Sequence, residues 1–183
     1  TIAVPLLHLG TIRSQGPDSA AFLHNLVSND VKHMEADTAA WNSFNSPKGR
    51  MIASFLVWTE EGGHALALSA DILPAFLKKF SMYVLRSKVK LADTSADTAL
   101  IGLAGPQAAA IAQAAGATLP PEDMRQAVSA SGVRCIRLGA QRLVLAIASE
   151  AAPALFDALA AAGAVRAGTA AWAGRSAVRI GGT

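Results

Sequence analysis

The segment AWNSFNSPKGRMIASFLVW at residues 40–58 constrains the fold more than any other part of the chain. Residues 46–50, Ser-Pro-Lys-Gly-Arg, favour a turn because proline pre-sets one backbone angle and glycine permits conformations that a Cβ would hinder. Residues 51–58 are apolar enough, over a sufficient length, to form a β-strand. The sequence therefore predicts a polar turn that enters a buried strand, with Lys48 and Arg50 beside the entrance.

The composition indicates a globular chain of one large domain or two compact lobes. Of 183 residues, 52% are hydrophobic and 16% are charged, which excludes a disordered polyelectrolyte. Apolar runs are interrupted before the roughly 20 residues that a membrane helix needs, so no membrane partner is expected. The net charge of +3 is spread along the chain and gives only a weak preference for anionic partners. A single cysteine, Cys135, excludes an internal disulfide framework and fits a reducing compartment, so we expect a cytoplasmic protein.

Hydrophobic periodicity predicts an α+β fold of antiparallel sheets with packed helices. In the first lobe the pattern predicts a helix at 16–27, a hairpin of strands 51–58 and 64–69, a helix around 73–80 and a strand at 88–91. The polar residues 93–97 mark a lobe boundary. In the second lobe the pattern predicts strands at 99–103, 126–129, 133–137, 142–148 and 164–167, with helices at 106–115 and 151–162.

This second order of elements resembles a split βαβ arrangement with an added hairpin, the ferredoxin-like class. A short helix and then a strand or coil are expected after Gly168, and they return to the first lobe. The predicted division is therefore residues 1–97 plus 170–183 for the first lobe and 98–169 for the second.

Three motifs have structural interpretations that outweigh functional ones. Gly102 and Gly105 lie between a strand and a helix, but a phosphate-binding loop would need further glycines, so packing is favoured. The four histidines show no metal-binding spacing, and no metal site or Ser/His/Asp set is predicted. Cys135 alternates with apolar residues of a strand and is expected to be buried and inert.

Two groups of residues leave alternatives open. Trp41 follows two alanines and precedes several polar residues, so it either presents an aromatic face to a flat heterocycle or fills the core. Lys48 and Arg50 either bind a ligand carboxylate or are simply exposed at a turn. The cations of residues 78–90, with Tyr83 among them, favour a solvated face over a polyanion site.

The order of GPDSAAFLHNLVSNDV, AAWNSFNSPKGRMIASFLVW, an Ala/Leu strand, an amphipathic helix and ALIGLAGPQA resembles the folate-binding superfamily of the glycine-cleavage aminomethyltransferase. Within it, the chain is most similar to the YgfZ-type branch. The resemblance covers residues 9–106 well, and the second lobe and the closing WAGRSAVRIGG more loosely. It implies the aminomethyltransferase folate-binding fold.

The resemblance implies a tetrahydrofolate-binding cleft and a role in assembling or maintaining iron–sulfur proteins, including those that modify tRNA. Partners would then be a folate and iron–sulfur client proteins, without direct nucleic-acid binding. By position, Trp41 matches an aromatic residue that lines the folate pocket. Lys48, Gly49 and Arg50 match the turn that enters the pocket strand. Two looser matches complete the expected site, Asn45 and Ser69.

Two departures from the family pattern bear on catalysis. Aminomethyltransferases carry an Asp-Asp pair where this chain has Ala53 and Ser54, so aminomethyl transfer is disfavoured. No Lys-Gly-Cys-Tyr motif of the YgfZ branch is found, and residues 179–182 lack the acidic residue that aminomethyltransferases have there. The chain resembles an N-terminal two-lobe fragment without the C-terminal barrel of the family. Folate-dependent aminomethyl transfer and an RNA- or protein-docking module using residues 78–90 are the alternatives.

Overall fold

The computed structural model describes residues 1–174. These residues group into two compact units, one formed by residues 1–7 and 96–174 and the other by residues 8–95. In chain order, the helices and strands are β1 Ile2–Pro5, β2 Leu9–Gln15, α1 Ser19–Leu26, β3 Ala39–Asn45, β4 Met51–Glu60, β5 Gly63–Ser69, α2 Leu73–Ser81, β6 Lys90–Asp93, β7 Thr98–Ala104, α3 Ala108–Ala114, β8 Gln126–Val128, β9 Arg134–Gly139, β10 Arg142–Ala148, α4 Ala152–Ala161, β11 Val165–Arg166 and α5 Thr169–Gly174.

The unit of residues 8–95 contains one five-stranded sheet, called sheet B, with strand order β3-β4-β5-β2-β6. Every neighbouring pair in it is antiparallel. One face packs against α1 and α2, because both helices place apolar residues at three-and-four spacing. Aromatic rings fill this interface: Phe44 of β3 meets Phe80 of α2 edge-to-face at 5.1 Å, and Phe22 of α1 meets Phe80 at 5.7 Å. The opposite face of sheet B carries two of the predicted site residues, Trp41 and Ser69.

The other unit contains a six-stranded sheet, called sheet A, with strand order β11-β1-β7-β10-β9-β8. If β1 is left aside, this unit has the split βαβ arrangement that the sequence predicts. Its successive elements are β7, α3, β9, β10, α4 and β11, and β8 is the added hairpin strand. Strand β1 lies between β7 and β11, antiparallel to the first and parallel to the second. The α+β prediction is confirmed, and the inserted strand is a feature that the sequence pattern does not predict.

One predicted strand start differs from the structure because of a local contact. The strand predicted at 88–91 begins instead at Lys90, which is the first residue to pair with Gln15 of β2. Lys88 cannot extend this ladder because its backbone N–H donates to the Asp18 carboxylate at 2.7 Å and its carbonyl accepts the Asp18 N–H at 3.3 Å. These bonds fix the chain to the start of α1.

The predicted lobe division differs from the two observed units at both ends of the chain. Residues 1–7 belong with residues 96–174, because β1 pairs with β7 and β11. Helix α5 also belongs to this unit: the ring of its Trp172 lies against Gly102 of β7. Residues 175–183, which include the predicted closing strand or coil, lie outside the described residues.

Candidate functional site

The predicted aromatic residue lies on the face of sheet B that is turned away from α1 and α2. Trp41 of β3 stands opposite Leu56 of β4, which stands opposite Ala67 of β5. Paired residues share a face of the sheet, and Ser69 lies two residues beyond Ala67 on the same face. We call this surface the Trp41 face. Trp41 is partly exposed on it, whereas Trp58 and Trp172 are 1% and 3% exposed.

A row of serine hydroxyls crosses the Trp41 face beside the indole. Ser43 of β3 pairs with Ser54 of β4, and Ser69 of β5 lies on the same face at the next strand. Neighbouring strands are about 4.8 Å apart, so the row spans about 10 Å of the sheet. The hydroxyls of Ser54 and Ser69 and the indole N–H of Trp41 make no side-chain hydrogen bond to any of residues 1–174. These three groups are available to a ligand.

The outer edge of β3 is closed by the segment that follows α1. The Ser28 N–H donates to the Ser43 carbonyl at 3.0 Å, and the Asn29 side-chain amide donates to the Trp41 carbonyl at 2.9 Å. Asn42, on the opposite face from Trp41, accepts the Asn29 N–H at 2.9 Å and donates to the Asn29 carbonyl at 3.2 Å. An edge strand with unpaired backbone groups can pair with another chain. These hydrogen bonds occupy the backbone groups of β3 and hold the strand that carries Trp41 in place.

Residues 46–50 form the predicted turn, which is the exposed tip of a hairpin between β3 and β4. The sequence pattern predicts the turn and β4 but not strand β3. The Gly49 N–H donates to the Ser46 carbonyl at 2.9 Å, and the Ser46 N–H donates to the Arg50 carbonyl at 2.7 Å. Pro47 takes the second position of this turn, and Gly49 has a φ of +78°, which favours glycine. A Cβ on Gly49 would meet no atom within 4 Å. This glycine is therefore required by the backbone and not by a close approach.

The structure divides the six predicted site residues into two groups. Trp41 and Ser69 share the Trp41 face, while Lys48, Gly49 and Arg50 occupy the hairpin tip, and Asn45 is exposed at the last position of β3. At about 3.3 Å per residue, Asn45 lies about 13 Å from Trp41 along the strand. Most of the predicted site residues therefore lie in a line along β3, with the Trp41 ring at one end and Lys48 and Arg50 beyond the other.

The two positions that lack the family carboxylates point in opposite directions. Ala53 is 1% exposed and belongs to the core between sheet B and its helices. Ser54 is only partly buried and lies in the hydroxyl row of the Trp41 face. Position 54 alone could therefore present a carboxylate to a ligand on this face, and in this chain it presents a neutral hydroxyl.

The same unit contains a buried polar cluster that the sequence pattern does not reveal. Ser14 of β2, Ser19 of α1 and His64 of β5 are 0%, 1% and 6% exposed. The Ser19 hydroxyl is 2.7 Å from the Ser14 hydroxyl and 2.8 Å from His64 Nδ1. Burial lowers the pKa of His64 below its usual 6.5, and the negative charge of Glu60 opposes that shift. The cluster ties two strands to α1 through a neutral imidazole.

A cleft of about 690 Å³ opens beside this cluster. Its walls come from the start of α1, from residues 31–36 and from the turn between β4 and β5, and they include Lys32, Glu60 and His64. These residues are far apart in sequence and carry no motif spacing, so only the fold brings them together. The one sequence signal of a buried imidazole is that His64 directly precedes the apolar run of residues 65–68.

Cys135 and Gly102, for which the sequence favours a structural role, both lie in packed regions of the fold. Cys135 is fully buried, as predicted, and desolvation raises the pKa of its thiol to about 12, which disfavours the reactive thiolate. A Cβ on Gly102 would lie 2.5 Å from the Trp172 ring, which confirms a packing role. The Arg142 guanidinium lies over the Trp172 ring, 3.8 Å from its centroid.

Comparison with solved structures defines the class of protein. The chain superposes on the glycine cleavage system aminomethyltransferase T from Bartonella henselae with a TM-score of 0.77 and 18% identity, covering 86% of this chain and 44% of that one. The fold is therefore aminomethyltransferase-like, as the resemblance implied. Residues 4–180 match the GCVT N-terminal domain, and the chain belongs to this family.

Two curated relatives carry names from different branches. The chain is 36% identical over 106 residues to the iron-sulfur cluster assembly factor IBA57 homolog, mitochondrial, of Mycosarcoma maydis, covering 49% of this chain and 26% of the relative. It is 30% identical over 108 residues to the tRNA-modifying protein YgfZ of Vibrio vulnificus strain YJ016, covering 58% of this chain and 33% of the relative. In both cases the match spans about a third or less of the relative's length.

No helix within residues 1–174 is long and apolar enough to cross a bilayer. One relative is named as mitochondrial, so the cytoplasmic location stays a prediction.

Proposed function

We propose that this chain is a folate-binding module that acts in the assembly or maintenance of iron–sulfur proteins, including those that modify tRNA. The proposal rests on side chains that have no hydrogen-bond or ion-pair partner among residues 1–174. These are Trp41 of β3, Ser54 and Ser69 on the neighbouring strands, and Lys48 and Arg50 at the hairpin tip. A reduced folate has the matching order of parts: a flat pterin, a linker and a glutamate with two carboxylates.

The residues present fit such a ligand. The partly exposed indole of Trp41 offers an apolar face to the pterin, and aromatic stacking is worth about 0.5–1.5 kcal/mol beyond buried area. The hydroxyls of Ser54 and Ser69 can donate to or accept from the polar edge of the pterin. Lys48 and Arg50 are exposed and take part in no ion pair within residues 1–174, so they can receive the glutamate carboxylates.

The names of the relatives support the cellular role. One is named for iron–sulfur cluster assembly and the other for tRNA modification. We propose iron–sulfur client proteins as the macromolecular partners on this ground.

Folate-dependent aminomethyl transfer is the alternative that the site disfavours. Of the two departing positions, only Ser54 lies on the Trp41 face, and a hydroxyl cannot supply the negative charge that stabilises a developing cation. We expect no turnover when the protein is assayed with a lipoyl carrier protein and tetrahydrofolate. Measurable glycine-cleavage activity would reverse this conclusion.

The pocket is tested by titrating tetrahydrofolate into the protein while following calorimetry and tryptophan fluorescence. Since Trp58 and Trp172 are buried, quenching should report mainly on Trp41. We expect saturable binding that weakens about tenfold or more in Trp41→Ala, which loses the stacking face. The control is Met51→Ala, which removes an exposed apolar side chain (56%) from the same hairpin. Equal binding by both variants would place the pterin elsewhere.

The charged end is tested by a change of ligand. In the double variant Lys48→Gln, Arg50→Gln we expect about a tenfold loss of affinity for tetrahydrofolate, because two charge-assisted contacts are removed. Affinity for tetrahydrobiopterin, which has no glutamate, should not change. Lys32→Gln is the matched control, since it removes a cation from the cleft beside His64. An equal loss for both ligands would show that the tip acts through the fold and not through the carboxylates.

A further inference from the structure

The loop of residues 82–89, between α2 and β6, displays apolar side chains that the fold does not bury. Met82 and Leu85 are 71% and 86% exposed, and Tyr83 is 44% exposed. A cleft of about 690 Å³ lies beside Leu85, lined by residues 83–87 and Asp18. We call residues 82–89 the apolar loop. Exposed apolar side chains grouped in this way mark interaction surfaces, whereas single ones do not.

Backbone hydrogen bonds and a ring contact anchor the apolar loop. The Ser87 N–H donates to the Val84 carbonyl at 2.8 Å and closes a turn, and the Tyr83 N–H donates to the Phe80 carbonyl at 3.0 Å. The Tyr83 ring meets the ring of Phe44 at 6.4 Å, which anchors the loop on the aromatic core. A loop fixed in this way presents its side chains at low entropic cost to a partner.

Leu85 has a strained backbone. Its φ is +45°, a region that non-glycine residues rarely occupy, and its side chain lies almost entirely in solvent. Burial therefore does not compensate for the strain. Strained backbone positions of this kind occur most often at functional sites. The strain at Leu85 therefore indicates that the loop has a function.

Cations lie within the apolar loop and on both sides of it in the sequence. There is no acidic residue between Asp71 and Asp93 in the sequence. This stretch contains five exposed cations, none of which is paired with an acidic group in residues 1–174: Lys78, Lys79, Arg86, Lys88 and Lys90. The partner is therefore expected to carry negative charge.

We propose that the apolar loop is a docking surface for an acidic protein segment that inserts an apolar side chain next to Leu85. The charge complements the five cations, and the cleft beside Leu85 receives the apolar side chain. Single-stranded RNA would be recognised through stacking on aromatic faces, but the most exposed side chains here are aliphatic and the Tyr83 ring is engaged with Phe44. The inference is independent of folate binding.

The test uses two labelled peptides, one of glutamates with a pair of leucines and one in which serines replace the leucines. Fluorescence anisotropy should show the leucine peptide binding about tenfold more tightly, since a leucine is buried on docking. Leu85→Ser should abolish this preference. The matched control is Leu7→Ser, because Leu7 is 83% exposed and lies in the other unit. Equal binding of the two peptides by the unmodified protein would overturn the proposal.

A second variant separates docking from stability. Leu85→Gly removes the side chain and also the backbone strain, so the thermal midpoint should rise while the leucine preference is lost. A Leu85→Gly variant that keeps the preference would contradict the proposal.

RNA and lipid are tested in parallel with a polyuridine strand and with vesicles that contain phosphatidylglycerol. Replacing Arg86 and Lys88 with Gln should weaken peptide binding. Tighter binding of the RNA than of the leucine peptide, or vesicle capture that depends on Leu85, would replace the acidic protein segment with that partner and overturn the proposal.

Discussion

Gly49 shows what single residues reveal before a structure is known. The sequence predicts a turn with a glycine at this position, and the observed φ of +78° explains why a glycine is needed. The inert Cys135 was equally predictable, because its neighbours in the strand are apolar. The face of the sheet on which a residue lies cannot be counted from the sequence where a β-bulge intervenes. The register shifts between Phe44 and Asn45, so only the structure shows how Asn45 is placed relative to Trp41.

Substitution of Gly49 should cost stability through the backbone alone. We expect Gly49→Ala to lower the free energy of unfolding by about 1 kcal/mol, because alanine disfavours positive φ and no atom lies close enough to clash. Gly49→Asn should retain most of the stability, since asparagine tolerates this conformation. Urea denaturation measures both. Equal losses in the two variants would indicate a steric cause.

At the scale of elements, the amphipathic segments were predictable and the polar strands were not. Helix α2 and the β4–β5 hairpin show clear periodicity, and both predictions are confirmed. Strand β2 has no such pattern, because Thr11 and Ser14 are buried on opposite faces and satisfied by Thr94 and Ser19. Thr94 lies 83 residues from Thr11, and Ser19 belongs to helix α1, so the pattern within β2 cannot identify the strand.

The contact between β7 and α5 gives a prediction for one element pair. We expect Gly102→Ala to destabilise the protein by about 1–3 kcal/mol, because its Cβ would lie 2.5 Å from the Trp172 ring. The matched control is Gly139→Ala in β9 of the same sheet, where a Cβ would meet nothing within 4 Å. Chemical denaturation should show a loss for the first variant only. A loss of the same size at Gly139 would indicate that sheet A disfavours any added side chain.

At the scale of the whole molecule, stability should depend on pH through two histidines in residues 8–95. Burial lowers the pKa values of His64 and His8 below 6.5, and His8 Nδ1 is buried without a hydrogen bond to the described residues. The unfolded chain therefore takes up protons first as the pH falls. Stability should be full above pH 6.5 and should decrease below it, with a slope of at most about 1.4 kcal/mol per pH unit for each histidine.

The measurement is urea unfolding across a pH series from about 7.5 to 5. His64→Gln should reduce the loss of stability at acid pH, because it removes a buried imidazole that the unfolded chain protonates more readily. If His64→Gln retained the full slope, the loss would have to come from other groups.

The inserted strand β1 has a consequence for biosynthesis. Ile2–Pro5 can pair only after Thr98–Ala104 and Val165–Arg166 have been made. At about 5–20 residues per second, the ribosome takes about 5–20 s to advance from β1 to β7. During this interval the intervening residues 8–95 emerge with all the strands of sheet B. The nascent chain is thus expected to complete sheet B first. During this time the apolar residues of β1 have no strand to pair with and are accessible to chaperones.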